Sequence, residues 1–182
     1  MKKAIVFLAN GFEEMEATGT IDILRRGGVE VTIVTINSSR EVTGAHGMVY
    51  MADQTLAEAD CTTADALILP GGMPGATNLN ACEPLRELLK AHYAQEKLVA
   101  AICAAPLVLG GLGFLQGRKA TCYPGFEDKL YGAQHVSDGV VTDGNITTCR
   151  GLGYAIALGL EIIRLLLGEE KSLEIKAAIQ RD

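Results

Sequence analysis

The residue best placed for chemistry in this sequence is Cys103, which follows an apolar run and precedes small residues and a proline. We interpret residues 98–102 as a buried strand and residues 104–109 as the start of a helix, with Cys103 in the bend between them. A side chain on such a turn points out of the sheet, beside the unpaired N–H groups of the helix. Because these groups favour a thiolate, we expect the pKa of Cys103 to lie below its ordinary value of ~8.5.

The neighbours of Cys103 suit a tight turn between a strand and a helix. Ala101 and Ala105 stand where the G-x-S-x-G elbow has glycines, and Pro106 suits a first helical turn. The alternative is that Cys103 is a packing residue, since a free cysteine usually behaves as a small buried hydrophobe. These residues alone therefore leave both a reactive and a structural cysteine open.

Two further stretches could complete a site around Cys103. A carboxyl group from the 13-EEME-16 cluster, in a partly dry site, would have a raised pKa and could donate a hydrogen bond to a thiolate. The backbone N–H groups of Gly71 and Gly72 could bind a developing oxyanion. The simpler explanations are a solvated acidic helix start and an ordinary glycine turn.

Strand and helix patterns alternate along the chain and must position these stretches. We predict strands at residues 3–9, 29–36, 64–70 and 98–102, hairpins at 42–51 and 140–149, and helices at 13–26, 81–95, 154–167 and 171–179. Residues 73–80 are expected to form a loop. In the first helix, Met15, Ile21 and Leu24 are expected to face inward.

This alternation predicts an α/β fold with a mainly parallel sheet covered by helices on both faces. Ligands bind such sheets beyond the carboxyl ends of the strands. Residues 10–16, Gly71-Gly72 and Cys103 each follow a predicted strand, so we expect them to meet at one edge of the sheet.

Composition narrows the classes of function. We expect 182 residues to form a single domain, 1–182, and the net charge of −6 argues against nucleic acid and anionic membranes as partners. Five cysteines without C-x-x-C spacing indicate neither a zinc site nor a disulfide framework, so we predict no metal, no cofactor and a reducing cytoplasm. No signal peptide or membrane span is expected.

Four segments together resemble the DJ-1/ThiJ/PfpI superfamily, and within it the DJ-1 branch. They are 10-NGFEEME-16, 69-LPGGMPGA-76, 100-AAICAAP-106 and 149-CRGLG-153. The resemblance implies a flavodoxin-like three-layer α/β sandwich with a nucleophile elbow at Cys103. It also implies a homodimer, with Met15 and the first helix near the interface.

The resemblance assigns roles to individual residues. Cys103 matches the reactive cysteine, Glu16 the protonated glutamate beside it, and Gly72 with Ala104 the backbone oxyanion donors. Residues that would line or support the pocket are Gly71, Asp22, Arg26, His46, Tyr123 and Arg150. Tyr123 and His46 depart from the Parkinson-linked member, which has a histidine and an arginine at these places, and Leu152 replaces a proline.

The functions implied by the resemblance belong to different classes. One is a cysteine-dependent enzyme that acts on reactive dicarbonyls, as a glutathione-independent glyoxalase converting methylglyoxal to lactate or as a deglycase. The alternative is an oxidative-stress sensor or chaperone without physiological turnover. A peptidase or amidotransferase-like hydrolase is less favoured, because Ala104 stands where the peptidase branch has a histidine.

Overall fold

The computed structural model describes residues 1–181. Within these residues, the strands are β1 (Lys3–Leu8), β2 (Glu30–Thr35), β3 (Glu41–Thr43), β4 (Val49–Met51), β5 (Gln54–Thr55), β6 (Ala66–Leu69), β7 (Leu98–Ile102), β8 (Lys119–Ala120), β9 (Gln134–His135), β10 (Val140–Asp143) and β11 (Ile146–Cys149). Seven of these strands form one sheet in the order β10-β11-β7-β6-β1-β2-β5. All neighbours in this sheet are parallel except β10 and β11.

Helices cover both faces of the sheet. They are α1 (Glu14–Arg26), α2 (Gly75–Ala81), α3 (Glu83–Ala94), α4 (Pro106–Gly111), α5 (Ala155–Leu167) and α6 (Glu169–Ala178), with short 3₁₀ turns at Glu127–Lys129 and Leu152–Tyr154. Alternate residues of β1 face opposite layers, since Val6 and Leu8 pack in the core with α1 and α5, whereas Ile5 and Phe7 pack with α2, α3 and α4. The predicted three-layer sandwich with a mainly parallel sheet is therefore confirmed.

The strand that leads to Cys103 has the predicted bounds, Leu98–Ile102, and both predicted hairpins are present. The prediction of a loop at residues 73–80 is wrong, because α2 begins at Gly75. Glycine and proline suggested a loop there, but Ala76 and Leu79 lie one turn apart and are both buried against the sheet. Tertiary packing thus outweighs the weak local helix propensity.

The first helix faces the core differently from the prediction. Ile21 and Leu24 are buried as expected, but Met15 is 58% exposed, and its neighbours Glu14 and Glu16 are buried instead. Apolar periodicity could not reveal this, because the first turn of α1 turns two carboxylates toward the sheet and its loops. Among residues 1–181, none of the helices combines the length and the apolarity that a membrane span requires.

Candidate active site

Cys103 sits at the carboxyl end of β7 in a strained turn. Its φ angle is 64°, a left-handed conformation that costs a non-glycine residue about 1–2 kcal/mol. The surrounding chain holds it there, since the N–H of Cys103 donates to the carbonyl of Cys149 at 2.8 Å and the N–H of Tyr123 donates to the carbonyl of Cys103 at 2.8 Å. Such strain, fixed from both sides, is characteristic of a functional elbow.

The predicted tight packing around the elbow is present. Ala101 and Ala105 are fully buried beside Cys103. Gly71 is equally restricted, because a Cβ atom there would lie 2.6 Å from the Cβ of Cys103 and 2.7 Å from a carboxylate oxygen of Glu16. Only glycine at position 71 leaves room for the thiol and the carboxyl to meet.

Glu16 is the member of the acidic cluster that reaches Cys103. It lies in the first turn of α1, is only 1% exposed, and hydrogen-bonds to the Cys103 side chain. The N–H of Gly71 donates to Glu16 Oε2 at 2.9 Å. The N–H of Glu16 donates in turn to the carboxylate of Glu13, which caps the helix. The predicted helix 13–26 does not include this capping role of Glu13, and the sequence signal for it is weak, because glutamate is not among the preferred N-cap residues.

The two acids compete for protons. Burial raises the pKa of Glu16 to about 7, although the hydrogen bonds from Cys103 and Gly71 oppose this rise. Burial and the nearby Glu16 charge also raise the pKa of Cys103 to about 12. The prediction of a lowered cysteine pKa is therefore wrong when Glu16 is ionised, because these effects outweigh the helix-start N–H groups. Between these two ionisations the pair keeps one proton and one negative charge.

Two backbone N–H groups hydrogen-bond to Cys103 and lower its pKa. They belong to Gly72 and Ala104, and both favour a negative charge at this position. Gly72 has a φ angle of 86°, and a Cβ atom there would lie 2.3 Å from the backbone nitrogen of Glu13. The chain therefore requires glycine at position 72 for the loop after β6 to reach the site. These donors could also stabilise an oxyanion formed next to the sulfur.

The polar contacts of His46 are with Glu13 and Glu14 rather than with Cys103. Its ring Nδ1 lies 2.9 Å from Glu14 Oε2, and its backbone N–H donates to Glu14 Oε1 at 2.7 Å. Glu14 thus anchors the loop between β3 and β4. Ligand atoms of Glu13, Glu14 and His46 lie within 4.8 Å of one another and could hold a cation, but the Glu14 oxygens already accept hydrogen bonds from the loop.

Asp22 and Arg26 are also not brought to the cysteine. They pair with each other at 2.6 Å on α1, and both side chains are half exposed. Since a helix rises ~1.5 Å per residue, Arg26 lies ~15 Å along the axis from Glu16. The expectation that Asp22 and Arg26 support the pocket of this chain is therefore corrected: they form an ion pair with each other on the surface of α1.

Tyr123 and Arg150 do lie beside the elbow. The backbone N–H of Tyr123 hydrogen-bonds to the carbonyl of Cys103. Arg150 directly follows Cys149, whose carbonyl accepts the hydrogen bond from the N–H of Cys103. Both residues line a cavity of about 300 Å³.

Comparison with known proteins supports the resemblance found in the sequence. The family model described as DJ-1/PfpI matches residues 2–165. The chain belongs to the DJ-1/PfpI family. DJ-1 homolog B of Arabidopsis thaliana is 39% identical over 180 residues, which is 98% of this chain but 41% of that protein. The chain likewise spans 46% of DJ-1 homolog A from the same organism, so it covers about half the length of these relatives.

Another DJ-1/PfpI relative matches along most of its own length. The glutathione-independent glyoxalase DJR-1.2 of Caenorhabditis elegans is 35% identical over 174 residues, covering 94% of this chain and 92% of that protein.

Among solved structures, oxidized DJ-1 of Toxoplasma gondii is similar with a TM-score of 0.95 and 36% identity, covering 100% of this chain and 99% of that chain. A cysteine-to-alanine variant of a DJ-1 superfamily protein from Salmonella typhimurium has the same TM-score and identity, with full coverage of both chains.

Replacing Glu16 with glutamine should stabilise the fold at pH 8 by about 1–3 kcal/mol, because the buried carboxylate is disfavoured as an anion. A raised pKa means that the folded state binds more protons than the unfolded state between 4.5 and about 7. Wild-type stability should therefore fall as pH rises through this window. Urea unfolding at about pH 5 and about pH 8 measures the effect.

The matched control is Glu170→Gln, which changes an exposed glutamate in the first turn of α6. It should follow the wild-type pH dependence. Equal stability of Glu16→Gln and wild type at pH 8 would contradict the assigned burial of charge.

Proposed function

We propose that this protein is a cysteine-dependent glyoxalase that converts methylglyoxal to lactate without glutathione, and that it can release early dicarbonyl adducts as a deglycase. The observation that carries the proposal is the hydrogen-bonded Cys103–Glu16 pair, which keeps a single proton next to two inward-facing N–H groups. The glyoxalase relative from Caenorhabditis elegans supports the same chemistry.

The proposed reaction begins at the thiol. The sulfur of Cys103 adds to the aldehyde carbon while Glu16 takes the thiol proton, and the new C–S bond leaves a negative charge on the former aldehyde oxygen. The N–H groups of Gly72 and Ala104 are placed to stabilise this oxyanion, which becomes a hemithioacetal when it is protonated. Glu16 suits the transfer, because a pKa of about 7 lies close to neutral pH.

The next steps move hydrogen within the substrate. Glu16 moves the proton from the former aldehyde carbon to the neighbouring ketone carbon, and the hydroxyl proton of the hemithioacetal passes to the ketone oxygen. The first carbon is thereby oxidised as the second is reduced. The product of this step is a 2-hydroxy thioester. Water then cleaves the C–S bond, which releases lactate and restores the thiol. One methylglyoxal and one water thus give one lactic acid, and no external oxidant is needed.

Turnover should require both members of the pair. We expect lactate to form from methylglyoxal, and we expect Cys103→Ser and Glu16→Gln each to lower kcat/KM about a hundredfold or more. Because the active pair has lost one proton, wild-type kcat/KM should rise with pH through about 7. Chromatographic detection of lactate across a pH series measures both effects.

Cys82→Ser is the matched control, since Cys82 is the other partly exposed cysteine and lies at the start of α3. This variant should keep wild-type turnover. Lactate that stays absent with enzyme in excess of substrate would refute the glyoxalase proposal.

A second candidate function is oxidation sensing at the same sulfur. Peroxide would convert the thiol to a sulfenic acid and then to a sulfinate, with one water released at each step. The N–H donors of Gly72 and Ala104 could hold the sulfinate oxygens, and the similar Toxoplasma gondii structure is of an oxidized protein. Cys61, Cys122 and Cys149 are buried, which would protect them.

The sensing proposal predicts selective oxidation. After mild peroxide treatment, peptide mass spectrometry should find sulfinate at Cys103 well before any oxidation of Cys82. Glu16→Gln should slow the reaction, because the proton acceptor is lost. Oxidation of Cys103 and Cys82 at equal rates would argue against a sensor.

We also propose a homodimer formed through α1 and the β3–β4 hairpin. Large apolar side chains are exposed at the start of α1 and along the hairpin, namely Met15, Met48, Val49 and Met51. The two elements are neighbours, since Thr18 of α1 and Tyr50 of the hairpin hydrogen-bond at 2.8 Å. Exposed apolar side chains grouped in this way favour a protein interface.

The double variant Val49→Asp, Met51→Lys should therefore sediment as a monomer at micromolar concentrations at which the wild type is a dimer. Charges at these positions would lose their hydration in the interface, which disfavours the dimer. In the isolated protomer they would remain in water, so the fold should not be disturbed. Leu173→Lys, an exposed apolar position on α6, is the control and should remain dimeric. A monomeric wild type would overturn this proposal.

The cysteines also support a proposed location. All five are unpaired in the structure, as a reducing compartment favours. We propose the cytoplasm, as the sequence composition suggested.

A further inference from the structure

A separate feature of the site is the cavity of about 300 Å³ that Tyr123 and Arg150 line together with Leu152 and Tyr154. Its walls come from the two segments that are hydrogen-bonded to the backbone of Cys103. One contains Tyr123, and the other continues from Cys149. The cavity therefore adjoins the elbow, and its volume is at the lower end of the range found for small-molecule pockets.

The walls of this cavity are apolar side chains with free surface. Tyr123 is 51% exposed, Leu152 48% and Tyr154 41%. Tyr154 is fixed in place, because its ring lies directly against Gly139 and its N–H donates to the carbonyl of Gly151 at 2.8 Å. The ring of Tyr123 covers the backbone of Gly151. Two ordered aromatic rings thus remain partly uncovered at one concave surface.

Arg150 contributes a cation to the same cavity. Six other arginines have a carboxylate oxygen within 4.0 Å, namely Arg25, Arg26, Arg40, Arg86, Arg118 and Arg164. Arg150 has no such partner among residues 1–181 and donates instead to the carbonyl of Ser137 at 3.2 Å. A flat guanidinium without a carboxylate is well suited to stack on an aromatic group.

We infer that this cavity binds the second substituent of the dicarbonyl, and that the enzyme prefers aryl glyoxals to methylglyoxal. This inference rests on the proposed glyoxalase function. The aldehyde carbon bonds to Cys103, and the cavity adjoins the elbow through the segments that contain Tyr123 and Cys149. It is therefore the space that we assign to the group on the ketone carbon. A methyl group leaves the cavity empty, whereas a phenyl ring covers the exposed apolar surface and offers a flat face to the tyrosines and the guanidinium.

Phenylglyoxal would react by the same steps as methylglyoxal. Phenylglyoxal and one water give mandelic acid, with the aldehyde carbon oxidised and the ketone carbon reduced, and the proton passes through Glu16. The substituent takes no part in bond making. A bound substituent holds the second carbonyl close to Cys103 and Glu16, and this positioning should raise kcat/KM.

The test compares initial rates of mandelate and lactate formation from phenylglyoxal and methylglyoxal. Product formation is measured, because aryl glyoxals also modify arginine side chains without forming mandelate. Wild-type kcat/KM should be roughly tenfold or more higher for phenylglyoxal. Leu152→Ala should lower this ratio about fivefold or more by removing one wall. Leu173→Ala, a leucine 54% exposed on α6, should leave the ratio unchanged.

A ratio near one in the wild type, or an equal ratio in both leucine variants, would overturn the inference. A second measurement tests the aryl-binding cavity independently of the proposed glyoxalase activity. Mandelate and lactate are titrated into Cys103→Ser and followed by NMR. Tighter binding of mandelate, with shifts at Leu152 and Tyr154, would support the aryl site even if no substrate turns over. Equal or absent binding of both acids would refute it.

Discussion

Two acids that share one buried proton are the constraint on which the rest of this structure depends. The thiol of Cys103 and the carboxyl of Glu16 come from distant parts of the chain. Burial raises the pKa of both groups, and the charge of Glu16 raises the pKa of Cys103 further, whereas the hydrogen bond from Cys103 lowers the pKa of Glu16. Gly71 is small because any side chain there would separate them. The left-handed turn at Cys103 points the sulfur at the carboxyl, and hydrogen bonds on both sides keep it there.

The parallel sheet explains how such a pair can be held. Strands β1, β6 and β7 are neighbours and end at the same edge, so the first turn of α1, the Gly71-Gly72 loop and the elbow meet without long connections. Backbone groups provide most of the polar environment, and these cost little conformational entropy to position once the sheet has formed. The site is therefore enclosed by hydrogen-bonded backbone where the sulfur lies and more open toward Tyr123.

A buried carboxyl with a raised pKa also shows a compromise between stability and chemistry. Near neutral pH the fold holds a charge that water would solvate better, and the elbow adds backbone strain. These costs fall on Glu16 and Cys103, which are held by buried neighbours such as Ala101 and Ala105. A site of this kind is maintained by the fold rather than by its own interactions.

The sequence by itself determined the fold class, the strand before Cys103 and the meeting of three loop segments at one sheet edge, because apolar periodicity and chain order fix the sequence of strands and helices. It also singled out Glu16, through resemblance. It could not show that α2 is a helix or that Met15 faces outward, since both depend on which surfaces the sheet offers. Only the tertiary structure decided the pKa of Cys103, the pairing of His46 with Glu14, and the distance of Asp22 and Arg26 from the site. These features arise from burial and from contacts between residues far apart in the chain, which local sequence patterns do not contain.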